Sequence, residues 1–243
     1  MSPMTQESSI AAELRDDILR GLYRCGERLP SERDLAERFG VHRSTVRAAV
    51  KRLEQLGVAH VRPGGARVAA IEEASLEVLE HMLALHDPPD ALLLDQALEA
   101  MSGFLAHAAR LGSERATGDE RERLLAILDE MIESKLAGER RGELFAALGA
   151  ALVEATGNPV LALLRHGRRT RYSDYVLPDP QRGAIASETL EPPLLDLRAA
   201  IEAGAGARAS DAVYALTALI RSQIRSSLER EVAVRPPRAG GLR

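Results

Sequence analysis

The sequence predicts a mainly α-helical protein: an N-terminal winged helix-turn-helix with a small β-hairpin wing, then an all-α bundle of six or seven helices. Three observations predict it. Residues 29–67 read LPSERDLAERFGVHRSTVRAAVKRLEQLGVAHVRPGGAR, two short amphipathic segments split by Gly40 and followed by a Gly-rich basic hairpin. From Ser75 onward the apolar spacing is helical throughout, and no repeat of fixed period occurs. Aromatic residues are 3% of the chain and Trp is absent, so the cores must be built from Leu, Ala and Val. The expected domains are 1–71 and 72–231, with a Pro- and Gly-rich tail, 232–243, expected to be disordered.

Taken in order, residues 1–8 are polar and expected to fray. The first helix is expected over Ile10–Leu22, with Ile10, Leu14, Ile18 and Leu22 on its core side. Ser31 can cap the next helix, and Glu32 and Asp34 put negative charge in its first turn. Leu35 and Phe39 fall four apart, and Gly40 ends that helix because a sharp turn favours a residue without a Cβ. A third helix is expected from Arg43 to Leu56. Its Arg43, Arg47 and Lys51 line one flank beside Ser44, while Val46, Val50, Leu53 and Leu56 line the other. Val58–Arg62 reads as a strand, Pro63-Gly64-Gly65 as its turn and Arg67–Ile71 as the returning strand.

A short linker, 71–74, leads to a helix carrying Leu76, Leu79, Met82, Leu83 and Leu85, assigned with the larger domain and stopped at Asp87-Pro88-Pro89. Helices are then expected over 90–111, 118–137, 141–156, 159–176, 184–203 with a disturbance at Pro192-Pro193, and 208–230.

Net charge is −4, but its distribution is uneven. Residues 1–70 hold 12 Lys and Arg against 9 Asp and Glu, a net of +3, which leaves −7 for the remainder. Basic residues spaced by four also make an ordinary solvated helix face. It is the conjunction of a capped helix, a Gly turn, a helix without acidic residues from Val41 to Arg52 and a basic hairpin that points to DNA. Cys25 is the only cysteine, which excludes an intrachain disulfide and a four-thiolate metal site; it is expected to be packed or half-exposed. No stretch approaches eighteen consecutive apolar residues and the N-terminus has no charged-then-apolar leader, so a soluble, cytoplasmic protein with no membrane partner is expected.

The stretch LPSERDLAERFGVHRSTVRAAVKRLEQLG, with ELRDDILRGLYRCGERLPSER before it, resembles the DNA-binding signature of the GntR family of bacterial transcription regulators. His42 departs from it, standing where that family more often has Ser or Thr at the cap of the recognition helix. By this resemblance Arg33, Arg43, Ser44, Thr45 and Arg47 are the operator-contacting positions and Gly64 sits at the wing tip; Lys51 and Arg62 join them as nearby cations. The partner implied is a palindromic double-stranded operator bound by a homodimer.

In that family the C-terminal domain dimerises and senses a small molecule. An all-helical domain, FAALGAALVEATGNPVLALL with LRAAIEAGAGARASDAVYAL, resembles the FadR subfamily. Its larger branch holds a metal with one Asp and three His. Counting back from Asn158, the Asp and first His positions fall on Phe145 and Gly149, and near 194 and 216, where the other two His would sit, stand Leu194 and Leu216, so no metal and no cofactor is expected. The metal-free, fatty-acid-responsive branch is then the nearer resemblance, implying a long-chain acyl-CoA as effector. Candidate effector contacts are His166, Arg169, Tyr172, Tyr175 and Tyr214, with Arg165, Arg168 and Arg171 as further phosphate partners. The same arginines also suit a solvated or interface helix face, the tyrosines a core, and His166 a surface or core position.

Three function classes follow: an effector-controlled regulator, a ligand-independent dimeric DNA binder, and an enzyme fused to a winged helix. A regulator answering to a small carboxylate metabolite is the alternative within the first class. The sequence has no Gly-x-Ser-x-Gly elbow, no phosphate-binding Gly loop and no His-Glu-x-x-His, so no enzymatic activity is expected.

Overall fold

The structure, a computed structural model, describes residues 5–86, 89–133, 139–166 and 187–234, and it divides at Asp87/Pro88 into two compact units. In the first unit, α1 (Gln6–Leu19) begins four residues earlier than expected. The Thr5 side chain accepts a hydrogen bond from the Ser8 N–H, so the polar start is a helix cap. Ile10, Leu14 and Ile18 are buried as expected, but Leu22 lies beyond the helix end and is exposed. Cys25, in the loop that follows, is exposed rather than packed or half-exposed.

Helix α2 (Glu32–Phe39) is capped by Ser31, whose Oγ accepts from the Asp34 N–H, and it ends at Gly40 in the left-handed region at φ 64°. Helix α3 (Arg43–Gln55) buries Val46, Ala49, Val50 and Leu53, while Leu56 packs half-buried against the same core. Leu14, Leu35, Val46 and Leu53 are almost completely buried. Each such side chain contributes about 1.5–3 kcal/mol of apolar burial, which fixes α3 against α1 and α2.

Two antiparallel strands follow, β1 (Ala59–Arg62) and β2 (Gly65–Val68), in the register Ala59↔Val68 to Arg62↔Gly65. The returning strand thus begins at Gly65, immediately after a two-residue Pro63-Gly64 turn, and stops at Val68 rather than running over 67–71. Ile71–Glu73 is a single 3₁₀ turn with Ile71 exposed.

The sheet gains a third edge from before α2. The Gly26 N–H donates to the Val68 carbonyl, the Val68 N–H to Glu27, and the Leu29 N–H to Ala66, each at 2.9 Å. Leu29 is buried in consequence, and the hairpin is tied to the start of α2.

The next helix, α4 (Val78–Ala84), corrects the sequence reading twice. Val78 and Met82 join the core of Ile10, Leu14 and Leu53, so α4 lies in the first unit and the division falls later than Ile71. Val78 is buried, whereas Leu76 is exposed.

The second unit is helical throughout its described residues: α5 (Ala91–Arg115), α6 (Gly118–Glu133), α7 (Glu139–Glu154), α8 (Pro159–His166), α9 (Ser187–Glu202) and α10 (Gly206–Val234). Asp90 caps α5 through Leu93 N–H at 2.8 Å. One apolar core joins α5, α6, α7, α9 and α10, with Leu124, Leu128, Leu197 and Ile201 fully buried. A Cβ on Gly112 would stand 2.8 Å from the Leu152 carbonyl, so the absence of a side chain there lets α5 and α7 touch.

Pro192 and Pro193 lie inside α9, which runs continuously through them. Both stand beyond the first four positions, so each removes an N–H that would otherwise bond the carbonyl four residues earlier, at Glu188 and Thr189, and Pro193 is buried. Between helices, Arg221 makes a two-pronged ion pair with Asp95 at 2.9 and 3.1 Å, and Arg198 pairs with Asp129. Residues 232–234, expected in the disordered tail, are instead the end of α10, while 235–243 and the second half of the expected 159–176 helix lie outside the described residues.

Candidate nucleic-acid interface

The side of α3 opposite its buried valines carries Arg43, Ser44, Arg47 and Lys51, all exposed, with Thr45 half-buried beside them. These positions share a face because four residues make just over one turn. The buried face anchors the helix, so the row of cations stands on a rigid element.

His42 is the N-cap by backbone geometry, but its side chain accepts no capping hydrogen bond. The departure from Ser or Thr therefore costs α3 its side-chain cap. The first N–H groups of α3 are closed partly by the backbone, through Thr45 N–H to the His42 carbonyl at 3.0 Å.

Arg33 lies exposed in the first turn of α2, beside Asp34 at 3.5 Å. Asp34 is held below the ordinary carboxylate range, first by the hydrogen bond from the Ser31 hydroxyl and more weakly by Arg33. On the hairpin, Arg62 and Gly64 are exposed and Gly64 takes φ 101° at the tip. The eight sequence candidates thus fall on α2, α3 and the wing of one unit, and seven of them are exposed.

Three further residues belong to this surface and were not singled out in the sequence. Arg28 reaches the wing turn, since a Cβ on Gly65 would meet its Nε at 3.0 Å. Arg67 donates to the Gly26 carbonyl at 2.9 Å and so spends part of its guanidinium on the scaffold. Glu32 receives Arg47 in a two-pronged ion pair, Nε to Oε1 at 3.0 Å and Nη2 to Oε2 at 2.8 Å. That pairing lowers the Glu32 pKa and raises that of Arg47, so both are charged at neutral pH. The only sequence signal for it was an acidic residue at the start of α2.

In the second unit the four positions where the resemblance puts metal ligands offer no donor. Leu194 and Leu216 are buried in the bundle core, Phe145 packs against it, and a Cβ on Gly149 would touch Leu105 at 3.4 Å. The residues present do not fit that metal site, and among the described residues no group of three or more His, Cys, Asp or Glu is arranged to hold an ion. Of the effector candidates, Tyr214 is half-exposed on α10 and its hydroxyl lies over Gly103 of α5. Arg165 is half-buried on α8. The His166 side chain, Arg168, Arg169, Arg171, Tyr172 and Tyr175 lie outside the described residues.

Residues 6–68 match the family of bacterial regulatory proteins named gntR, and residues 96–219 match the FCD domain. An HTH-type transcriptional regulator of Mycobacterium tuberculosis is 32% identical over 218 residues, covering 86% of this chain and 85% of that one. This chain belongs to the GntR family. As a GntR protein with an FCD domain it is a DNA-binding transcription regulator with an effector-binding domain, not an enzyme. The FadR-like resemblance also stands: the fatty acid metabolism regulator of Shewanella halifaxensis is 34% identical over 152 residues, 61% of each chain. The Uxu operon regulator of Haemophilus influenzae is 32% identical over 63% of this chain and 55% of that one. In fold, the GntR chain is similar to the solved structure of Lar, which controls expression of the Listeria monocytogenes agr system. That structure is 18% identical with a TM-score of 0.57, covering 92% of this chain and 98% of the other. No helix among the described residues is long and apolar enough to cross a membrane.

Proposed function

We propose that this GntR regulator binds a palindromic operator as a homodimer in the cytoplasm. Its operator affinity changes when a long-chain fatty acyl-CoA occupies the helical unit. The observation that carries the DNA reading is the row Arg43, Arg47 and Lys51 on the exposed side of a helix whose other side is locked by Val46 and Leu53. Arg33, Ser44, Thr45, Arg62 and Gly64 flank that row as backbone or base contacts. One α3 reaches only a few base pairs, and two related by a two-fold axis double the contacts.

The acyl reading is supported by the apolar side chains of Phe145, Leu194 and Leu216 and the bare Gly149 at the four ligand positions, and by the fatty acid regulators among the relatives. A bundle lined by Leu and Ala suits an acyl chain, and the arginines and tyrosines near 165–175 suit the nucleotide phosphates. A small carboxylate as effector is the second reading, kept because relatives named for the Uxu operon and not for fatty acid metabolism match this chain over a similar span.

Thermal melting with oleoyl-CoA and with short dicarboxylates separates the two. The acyl reading expects a raised melting temperature with oleoyl-CoA, since a ligand at a thousandfold its Kd stabilises the native state by about 4 kcal/mol. Stabilisation by dicarboxylates alone contradicts it. Light scattering should give a dimer; a monomer at micromolar concentration with full operator binding contradicts the two-fold reading.

A further inference from the structure

The Glu32–Arg47 pair stands in the middle of the candidate interface and is solvent-accessible, with side-chain exposures of 39% and 73%. A surface ion pair of this kind contributes little to stability, so its consequences lie in what Arg47 can do. Glu32 is the first residue of α2, fixed there by the Ser31 cap, and Arg47 comes from the second turn of α3. The carboxylate therefore links the two helices on the side that faces outward.

A guanidinium has five N–H groups. The Nε–H and one Nη2–H are bound to Glu32, which leaves the Nη1/Nη2 end free with two parallel donors. That end matches the paired acceptors O6 and N7 of guanine in the major groove. The carboxylate has a second effect. It cancels the Arg47 charge locally, so the pair does not attract a phosphate as a lone cation would. Arg43 adds a weaker attraction to the same carboxylate.

We infer that Glu32 is a specificity-determining positioning residue, which holds Arg47 end-on for a base and withholds it from indiscriminate phosphate contact. This rests on the reading that the exposed face of α3 meets DNA. It assigns to an acidic residue the discrimination that the basic residues alone do not provide.

The test uses the full chain, a duplex selected by the wild-type protein from a randomised library, and a scrambled duplex of equal length. Glu32→Gln keeps the size of the side chain and removes its charge. It should tighten binding to the scrambled duplex and lower the selected-to-scrambled affinity ratio by about tenfold per half-site, one guanine's worth of discrimination. The plot of log affinity against log salt should steepen by about 0.9 for each phosphate newly engaged. In an Arg47→Ala background the same substitution should change neither quantity. A ratio unchanged or raised by Glu32→Gln, or an equal change in the Arg47→Ala background, overturns the inference while leaving the DNA face in place. If Arg47→Ala itself binds the selected duplex as wild type does, the reading of the face falls and the inference falls with it.

Discussion

Arg43 has no ion-pair partner among the described contacts of α3, whereas Arg47 is held by Glu32. Arg43→Ala should therefore cost about 1–3 kcal/mol of operator affinity, as expected for a residue that reads a base edge or clamps a phosphate. Arg140 belongs to the other unit, where it is paired with Glu130 and Glu143, and Arg140→Ala should leave operator affinity unchanged. Fluorescence anisotropy on a labelled operator distinguishes them, and equal losses would mean that the face is misplaced. The spacing of Arg43, Arg47 and Lys51 could be read from the sequence because helical period alone puts them on one flank. The partner of Arg47 could not. Glu32 lies fifteen residues away on another helix, and only the crossing of α2 and α3 brings the two groups within 3 Å. Arg28 escaped for the same reason, since it reaches the wing by pairing of its own backbone stretch with β2.

At the scale of elements, the junction between α3 and the wing depends on Gly57. It takes φ 71°, and a Cβ there would lie 2.5 Å from the Glu73 carbonyl. Gly40 has a similar φ of 64° with open space around it. Gly40→Ala should cost about 1–2 kcal/mol from backbone conformation alone, and Gly57→Ala clearly more, because residues 73–74 must also move. Urea unfolding of both variants checks this; equal losses would show that the close approach carries no weight.

Helix α4 makes a second expectation. His81 is half-buried, and burial first, then Arg15, push its pKa below the ordinary imidazole value, against the weaker pull of Glu80, Asp16 and Glu77. The unfolded chain then takes up a proton near pH 6.5, before the folded one does. Stability from this group is complete above that pH and is lost as pH falls through it towards the depressed folded value. Thermal melts from pH 8 to pH 5 should fall more steeply for wild type than for His81→Gln, and parallel curves would contradict the assignment. That α4 is a helix was legible from its apolar spacing. Which core it serves was not, because periodicity identifies a buried face without naming what buries it: Val78 turned out to pack with Ile10 and Leu53. The return strand was misplaced in a similar way, since Pro63-Gly64-Gly65 marks a turn but leaves open which Gly already pairs.

For the whole molecule, two units with separate cores suit a regulator in which one binds DNA and the other senses a ligand. The net +3 belongs to residues 1–70 and not to the whole first unit: Glu72, Glu73, Glu77, Glu80 and Asp87 bring residues 1–87 to 12 Lys and Arg against 14 Asp and Glu, a net of −2. The helical nature of the second unit was legible in its apolar spacing, and Phe145, Gly149, Leu194 and Leu216 stand at the positions where the resemblance puts metal ligands. What its core encloses could not be read, because leucines that line a ligand and leucines that fill a bundle have the same pattern. A ligand regulates only through unequal affinity for the DNA-binding and non-binding states. The direct measurement is therefore an operator titration of the protein, with and without saturating oleoyl-CoA. A shift of about five- to 150-fold in operator affinity, in either direction, is the predicted result for a coupling of 1–3 kcal/mol. Superimposable titrations at ligand concentrations that bind the protein would contradict it.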